Sequence, residues 1–203
     1  MKRFVSLRRN RAALRRLSRR LGANRSGIAA VEFAFVLPIM LLIYFGTVEL
    51  GQGVMVERKI TALARAVGDL TAQSRSVKLT DTEFETIFDA ADTVMMPYTE
   101  VAPSMIVSSV VIDGAGVAKV CWSKHRNGTA LPKGNVSVPA AMRVPKTSFI
   151  MATAAYDFTP VIGYVVTGTI RITGGPFFMR PRTGKAGGPL ATEQLERDGE
   201  PMC

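Results

Sequence analysis

The sequence predicts an α+β protein in which one long N-terminal helix precedes an antiparallel sheet. Residues 28–50 form an apolar run, and apolar side chains recur at helical spacing up to residue 70. From residue 104 onward, short β-branched runs alternate with turn signals. The 203 residues, 47% of them hydrophobic, suffice for one modest domain with additional segments. We therefore expect, in chain order, a basic leader 1–27, a transmembrane helix 28–50, a helix continuation 51–75, an α+β head 76–183 and a flexible tail 184–203.

The leader carries the excess positive charge of the chain. Residues 1–27 hold ten of the 26 lysine and arginine residues and no Asp or Glu, so the other 16 basic residues balance the 16 acidic ones. A nucleic-acid-binding domain would keep a basic surface, and we expect no nucleic-acid partner. Leu7, Leu14, Leu17 and Leu21 predict either an amphipathic helix on an anionic membrane or a solvated tail. In both cases the basic flank predicts a cytoplasmic N-terminus.

Residues 28–50 predict a transmembrane helix. The run is apolar except for Glu32, Thr47 and Glu49, and its helical length of about 34 Å exceeds a hydrocarbon thickness of about 30 Å. It is longer than the apolar region of a signal peptide, and no A-x-A-like cleavage site follows it. Pro38 removes one backbone hydrogen bond, which a span tolerates. We expect Glu49 at the far interface, where water reaches it.

Glu32 is the unusual residue of the span, because a carboxylate at full depth costs about 2.5 kcal/mol or more. It follows Ile28 by four residues, or about 6 Å along a helix. If the chain is cut after Gly27, Ile28 carries a free α-ammonium that Glu32 of the same or a neighbouring subunit can neutralise. The alternative is that Glu32 extends towards the cytoplasmic face and is solvated there.

The string GIAAVEFAFVLPIMLLIYFGTVELG, residues 27–51, carries a family resemblance. A basic leader that ends in Gly27, followed by four residues and then Glu32-Phe33, resembles the prepilin-peptidase site of type IV pilins. With Leu37-Pro38 and Glu49 at their spacing, the longer string resembles the TadE-like pseudopilins of the tight-adherence (Flp) pilus. The resemblance implies a pilin-like fold, cleavage between Gly27 and Ile28, and assembly that depends on Glu32 and Phe33.

The resemblance also implies a location and partners. It implies a single-pass protein of the bacterial inner membrane with a periplasmic head, which can be incorporated in the pilus. The implied partners are a prepilin peptidase, other pilin and pseudopilin subunits, the inner-membrane assembly platform and membrane lipid.

Beyond the span, five apolar side chains step by four and three residues: Val56, Ile60, Leu63, Val67 and Leu70. They predict either a short coiled coil or a stripe that packs on the protein's own sheet. After a break at SRSVKLTD, a capping box of Thr80 with Glu83, or of Thr82 with Glu85, predicts a short helix. The apolar side of this helix consists of Phe84, Ile87, Phe88 and Ala91.

The strands follow in order. SMIVSSVVI and VAKVCWS, joined by the turn signal DGAG, predict a hairpin. HRNGTALPKGNVSVP predicts a loop, and TSFIMATAAYDF a third strand. VIGYVVTG fits either a strand or a short connection. TIRIT predicts a further strand, which GGP interrupts before FFMRP. The tail is rich in Gly and charge and is predicted to be mobile.

The two cysteines, Cys121 and Cys203, fall in the predicted periplasmic part, where disulfides form. They predict either a bond that ties the tail to the second strand, or two free thiols. Strand alternation places Cys121 on the more polar face, with Lys119 and Ser123. The single histidine, His125, shares no helical face with Cys121, and no motif for catalysis or a metal is present. We expect no cofactor and no enzymatic activity.

The sequence thus predicts a minor pilin-like subunit that a prepilin peptidase processes. A first alternative is an uncleaved, membrane-anchored periplasmic domain for binding or signalling. A second is a mitochondrial inner-membrane protein, because the acid-free leader resembles a transit peptide. That alternative does not account for the fixed offset between Gly27 and Glu32.

Overall fold

A computed structural model describes residues 26–160, 163 and 167–203. The predicted leader helix and much of the segment VIGYVVTG lie outside the described residues. The chain divides into two compact units, of which one ends at Val48 and the other runs from Glu49 to Cys203. Helix α1, Ser26–Ala72, contributes to both units. From here on, we call the second unit, residues 49–203, the head; it has wider bounds than the predicted head 76–183.

The described residues confirm the α+β class. Helix α1 is followed by helix α2, Asp81–Asp92, and by short 3-10 turns at Thr93–Met95 and Ala140–Met142. Five strands form an antiparallel sheet in the order β4-β3-β2-β5-β6, and two small sheets pair β1 with β9 and β7 with β8. The strands are β1 (Lys78–Leu79), β2 (Ser104–Ile112), β3 (Ala118–Arg126), β4 (Gly134–Asn135), β5 (Ser148–Phe158), β6 (Ile170–Met179), β7 (Lys185–Gly187), β8 (Thr192–Gln194) and β9 (Glu196–Arg197).

The C-terminal part of α1 packs on one face of the five-stranded sheet. Val56, Ile60, Leu63 and Val67 are fully buried in one core cluster with β2, β3, β5 and α2. Leu70, the last residue of the predicted seam, is 39% exposed. The stripe therefore packs on the protein's own sheet, which is one of the two predicted arrangements, and this packing alone buries it. A second, smaller apolar cluster lies around Val110, Ile112 and Val138.

Strands β5 and β6 run along α1 and lie close to its backbone at three levels. A Cβ atom built on Gly53 would lie 3.9 Å from the Phe158 ring, and one built on Gly68 would lie 3.1 Å from the Met179 sulfur. Between these levels, a Cβ atom on Gly174 would lie only 2.6 Å from the carbonyl oxygen of Ile60. The end of the sheet where β5 stops at Phe158 and β6 begins therefore lies beside the part of α1 that follows Glu49.

Gly174→Ala is expected to destabilise the head by about 1 to 3 kcal/mol, because the added methyl group has to push a strand away from the backbone of α1. Thermal or denaturant unfolding of the purified protein measures the change. Gly114→Ala is the matched control, since a Cβ atom there meets no other heavy atom within 4 Å. Equal unfolding midpoints for the two variants would contradict the close approach of β6 to α1.

Helix α2 begins at the first of the two predicted capping boxes. The Thr80 hydroxyl accepts a hydrogen bond from the Glu83 backbone N–H at 3.3 Å, and the Thr80 N–H donates to the Glu83 carboxylate at 2.8 Å. The bond from the Thr80 N–H is the main cause that lowers the pKa of Glu83, and hydrogen bonds from the Thr80 and Ser76 hydroxyls to the same carboxylate lower it further. Phe84, Phe88 and Ala91 are buried in the main core, as the helical pattern predicts.

Strand β6 is continuous through GGP, where we predicted an interruption. The pairing with β5 shifts between Ala152 and Ala154, so that β6 carries an extra residue there. Gly175 adopts a φ of +95°, which favours glycine, and Pro176 follows it on an edge strand of the sheet. A bulge on an edge strand accommodates both residue types, so the sequence signal for a break marks a bulge instead.

The predicted face of Cys121 is wrong for a similar reason. Val120 pairs with Val110 and Trp122 with Ser109, so Cys121 is the extra residue of a bulge in β3. Strict alternation fails across a bulge. Cys121 is consequently buried in the main core beside Trp122, instead of lying on the more polar face.

The prediction of a mobile tail is also wrong. Residues 184–203 contain β7, β8 and β9, and the short β9 pairs with β1 in parallel. Leu195 and Gln194 are fully buried. The Arg182 N–H donates to the carbonyl oxygen of Ala72, the last residue of α1, at 2.9 Å. The tail is polar in composition, but backbone pairing and the buried Leu195 give it a defined structure.

Candidate functional site

The predicted processing segment lies in the first turns of α1. Gly27, Ile28, Glu32 and Phe33 are helical and exposed, Ile28 and Phe33 by more than half of their surface. A Cβ atom built on Gly27 would meet no heavy atom within 4 Å. Among residues 26–160, 163 and 167–203, Gly27 therefore has no packing partner.

The helix brings Glu32 close to the backbone of Ile28. Positions four residues apart lie on one face of a helix and about 6 Å apart along its axis. An α-ammonium on Ile28 would thus be within reach of the Glu32 carboxylate once the preceding residues were removed. A neighbouring helix with the same sequence could supply the same ammonium, because Glu32 is exposed on the first unit.

The first unit presents a continuous apolar surface on α1. Its most apolar window of 18 residues has a mean hydropathy of 2.4 and no buried residue. In the described part of the chain, α1 is the one helix that is long and apolar enough to cross a membrane. The Thr47 hydroxyl donates to the Ile43 carbonyl oxygen at 2.8 Å, so this polar group is satisfied within the helix. Such a helix fits a single-pass membrane anchor.

The structure contradicts the prediction that water reaches Glu49. This residue opens the head, and only 1% of its surface is exposed. It lines a groove of about 400 Å³ together with Phe158, Ile170 and Arg171. The β5–β6 end of the sheet therefore surrounds a carboxylate that the sequence places at a membrane boundary.

The second predicted site is the cysteine pair, which the structure joins. Cys121 and Cys203 form a disulfide across a sequence separation of 82, with Cα atoms 5.5 Å apart. The Cys203 N–H donates to the Gln194 side-chain oxygen at 3.3 Å, and the Leu190 N–H donates to the Cys203 carbonyl oxygen at 3.1 Å. The tail is thus held covalently and by backbone bonds at the same point.

Residues that the sequence analysis missed complete this attachment. The Trp122 indole N–H donates to the Leu195 carbonyl oxygen at 2.8 Å. Arg197 donates to the Ser123 carbonyl oxygen at 3.1 Å and contacts Asp81 at 3.3 Å. A hydrogen bond from Lys124, with the nearby Arg197 charge, lowers the pKa of Asp81. No local sequence signal marks these contacts, because their partners are more than 40 residues apart.

A search for metal-ligating clusters among the described residues finds none. His125 lies exposed on β3, and not in the predicted loop. The ionisable groups around it, such as Arg126 with Glu85 and Asp89, form ion pairs between β3 and α2. These pairs attach α2 to the sheet.

Comparison with known proteins identifies the N-terminal segment. Residues 27–69 match the family model described as TadE-like protein. No curated protein matches the chain, and no solved structure matches it. The match begins at Gly27 and includes Glu32, Glu49 and the stripe of α1 that packs on the sheet. It associates the chain with the Tad pilus machinery. Residues 27–69 of the chain thus match the TadE-like family, as the resemblance of the glycine–glutamate string predicts.

Proposed function

We propose that the chain is a minor pilin-like subunit, a pseudopilin, that a membrane prepilin peptidase cuts between Gly27 and Ile28. The observation that supports this most directly is the Gly27 to Phe33 string, which opens an exposed apolar helix inside the family match. The protein is then a substrate and a structural component of the Tad pilus system, and not an enzyme.

In this proposal the two units have separate tasks. The leader stays in the cytoplasm of the bacterium, the first unit spans the inner membrane, and the head lies in the periplasm. After the cut, the exposed apolar surface of α1 packs against other pilin and pseudopilin helices at the assembly platform. Glu32 neutralises the new α-ammonium of its own chain or of a neighbour, so the pairing exists only in the processed protein.

A mature N-terminus at Ile28 is the expected result when the protein is made together with a prepilin peptidase. Intact-mass measurement of the membrane-purified protein tests it. Gly27→Leu should remain full-length, because a bulky side chain at this position keeps the backbone out of the peptidase site. Gly51→Leu is the matched control in the same helix, since its Cβ position is equally open, and it should be cut normally.

A full-length wild-type chain, or a cut beyond the apolar run, would contradict the proposed processing. A full-length chain with an intact head would favour the uncleaved, membrane-anchored periplasmic domain instead.

A further inference from the structure

Exposed large apolar side chains gather at the end of the head where α1 enters it. Among the described residues of the head, Leu50, Val54 and Met55 on α1 and Ile170 at the start of β6 are each exposed by more than two fifths of their surface. Met96 and Val101, in the segment that leads into β2, are exposed as well. On a soluble domain, a cluster of large exposed apolar side chains usually marks a surface that contacts a partner.

The sheet register brings Ile170 to this end. Ile170 pairs with Phe158, and the Phe158 ring lies beside Gly53 of α1. The apolar side of the groove at this level consists of Leu50, Gly53, Val54, Phe158, Ile170 and Ile172, and its polar side consists of Glu49, Glu57, Arg171 and Thr173. We call the surface formed by Leu50, Val54, Met55 and Ile170 the apolar end of the head.

The first charged side chains of β5 and β6 lie one residue further along these strands. Asp157 pairs with Arg171 across β5 and β6, and their side chains form an exposed ion pair at 3.2 Å. An apolar end bounded by a paired charge matches the change from acyl chains to headgroups at a membrane interface.

We propose that the apolar end of the head is a lipid-contacting surface that enters the headgroup layer of the leaflet from which α1 emerges. The predicted span ends at Leu50, and Val54 lies about 6 Å further along the helix. The headgroup region extends roughly 5 to 8 Å beyond the hydrocarbon on each side. The apolar end is therefore within reach of this layer.

The occupant of this surface is lipid, because Leu50, the last residue of the predicted span, is itself part of this exposed apolar surface. The inference requires that α1 spans a membrane, but it requires neither processing nor pilus assembly. Failure of the processing experiment and failure of this inference are thus separate results.

Tryptophan quenching by brominated lipid tests the inference on the full-length chain in vesicles without peptidase. The probe is Ile170→Trp in vesicles of phosphatidylglycerol and a phosphatidylcholine brominated in the upper part of its acyl chains. The matched control is Val117→Trp, because Val117 is 38% exposed against 45% for Ile170 and lies before β3, at the opposite end of the sheet. The native Trp122 is buried and reports an intact head in both variants.

We expect bromine to reduce the emission of Ile170→Trp relative to vesicles of the unbrominated lipids, and to leave Val117→Trp and the native protein unchanged. Equal emission of Ile170→Trp in both vesicle types would overturn the inference. Quenching at both positions would also overturn it, since the head would then lie along the bilayer by another surface. Quenching of Ile170→Trp that disappears as the protein-to-lipid ratio rises would assign the surface to a second copy of the chain.

Discussion

Replacement of Glu32 by valine is expected to leave membrane insertion intact and to abolish incorporation into the pilus. The substitution removes a carboxylate from the span, which lowers the free energy of insertion by about 2.5 kcal/mol or more if the group is at full depth. In the processed protein it leaves the α-ammonium of Ile28 without a compensating charge among tightly packed apolar helices. Loss of one partner of a buried ion pair costs about 3 to 5 kcal/mol.

Crosslinking to the major pilin and counting of surface fibres measure this effect. Glu57→Val is the matched control, because Glu57 is an exposed glutamate of the same helix beyond the predicted span. It should crosslink like the native protein. The blocked variant Gly27→Leu should share the defect of Glu32→Val, since neither can form the ammonium–carboxylate pair. Normal assembly of Glu32→Val would refute the pairing, even if the chain is cut at Ile28.

Loss of the disulfide is the second large effect that we expect. In the chain-entropy model, a closed loop of this size stabilises the native state by about 4.5 kcal/mol. Cys203→Ser should therefore lower the unfolding midpoint of the head steeply. It is a better variant than Cys121→Ser, because Cys121 is buried in the core, where a hydroxyl group would add a desolvation cost of its own.

The fluorescence of the single tryptophan, Trp122, reports whether the tail is still attached to the head. The Trp122 indole N–H is bonded to the carbonyl oxygen of Leu195, eight residues before Cys203. Release of the tail should expose the indole and shift its emission to longer wavelength. The native protein under reducing conditions should show the same shift, whereas Lys185→Ala, an exposed substitution in the tail, should not. Two free thiols in non-reduced protein from oxidising cells would contradict the bond.

The features that local sequence carries were predicted well. The long helix, the β2–β3 hairpin and the capping box at Thr80 each depend on residues within one or two turns of each other. The candidate processing segment is also local, because a glycine, a glutamate and an aromatic residue at fixed offsets suffice to recognise it. For the same reason, the family resemblance could be named from about an eighth of the chain.

The features that were missed depend on contacts between distant segments. The burial of Glu49 requires the β5–β6 end, which lies more than 100 residues later in the chain. The tail strands are two or three residues long, and pairing with β1 and bonding to Trp122 fix them, while their composition resembles that of a mobile segment. The bulges at Cys121 and in β6 break alternation, and alternation was the rule that the strand predictions used.

The attachment of the tail determines when the head can finish folding. Strand β1 near residue 78 pairs with β9 near residue 196, and the edge of β3 receives the tail only through Leu195, Arg197 and Cys203. Contacts of such long sequence separation form late, because the intervening chain has to be ordered first. During synthesis, the strands that precede the tail leave the ribosome with an incomplete edge and an exposed indole. The head is therefore expected to close only after residues 192–203 have been made, and the nascent chain is expected to stay loosely structured until then.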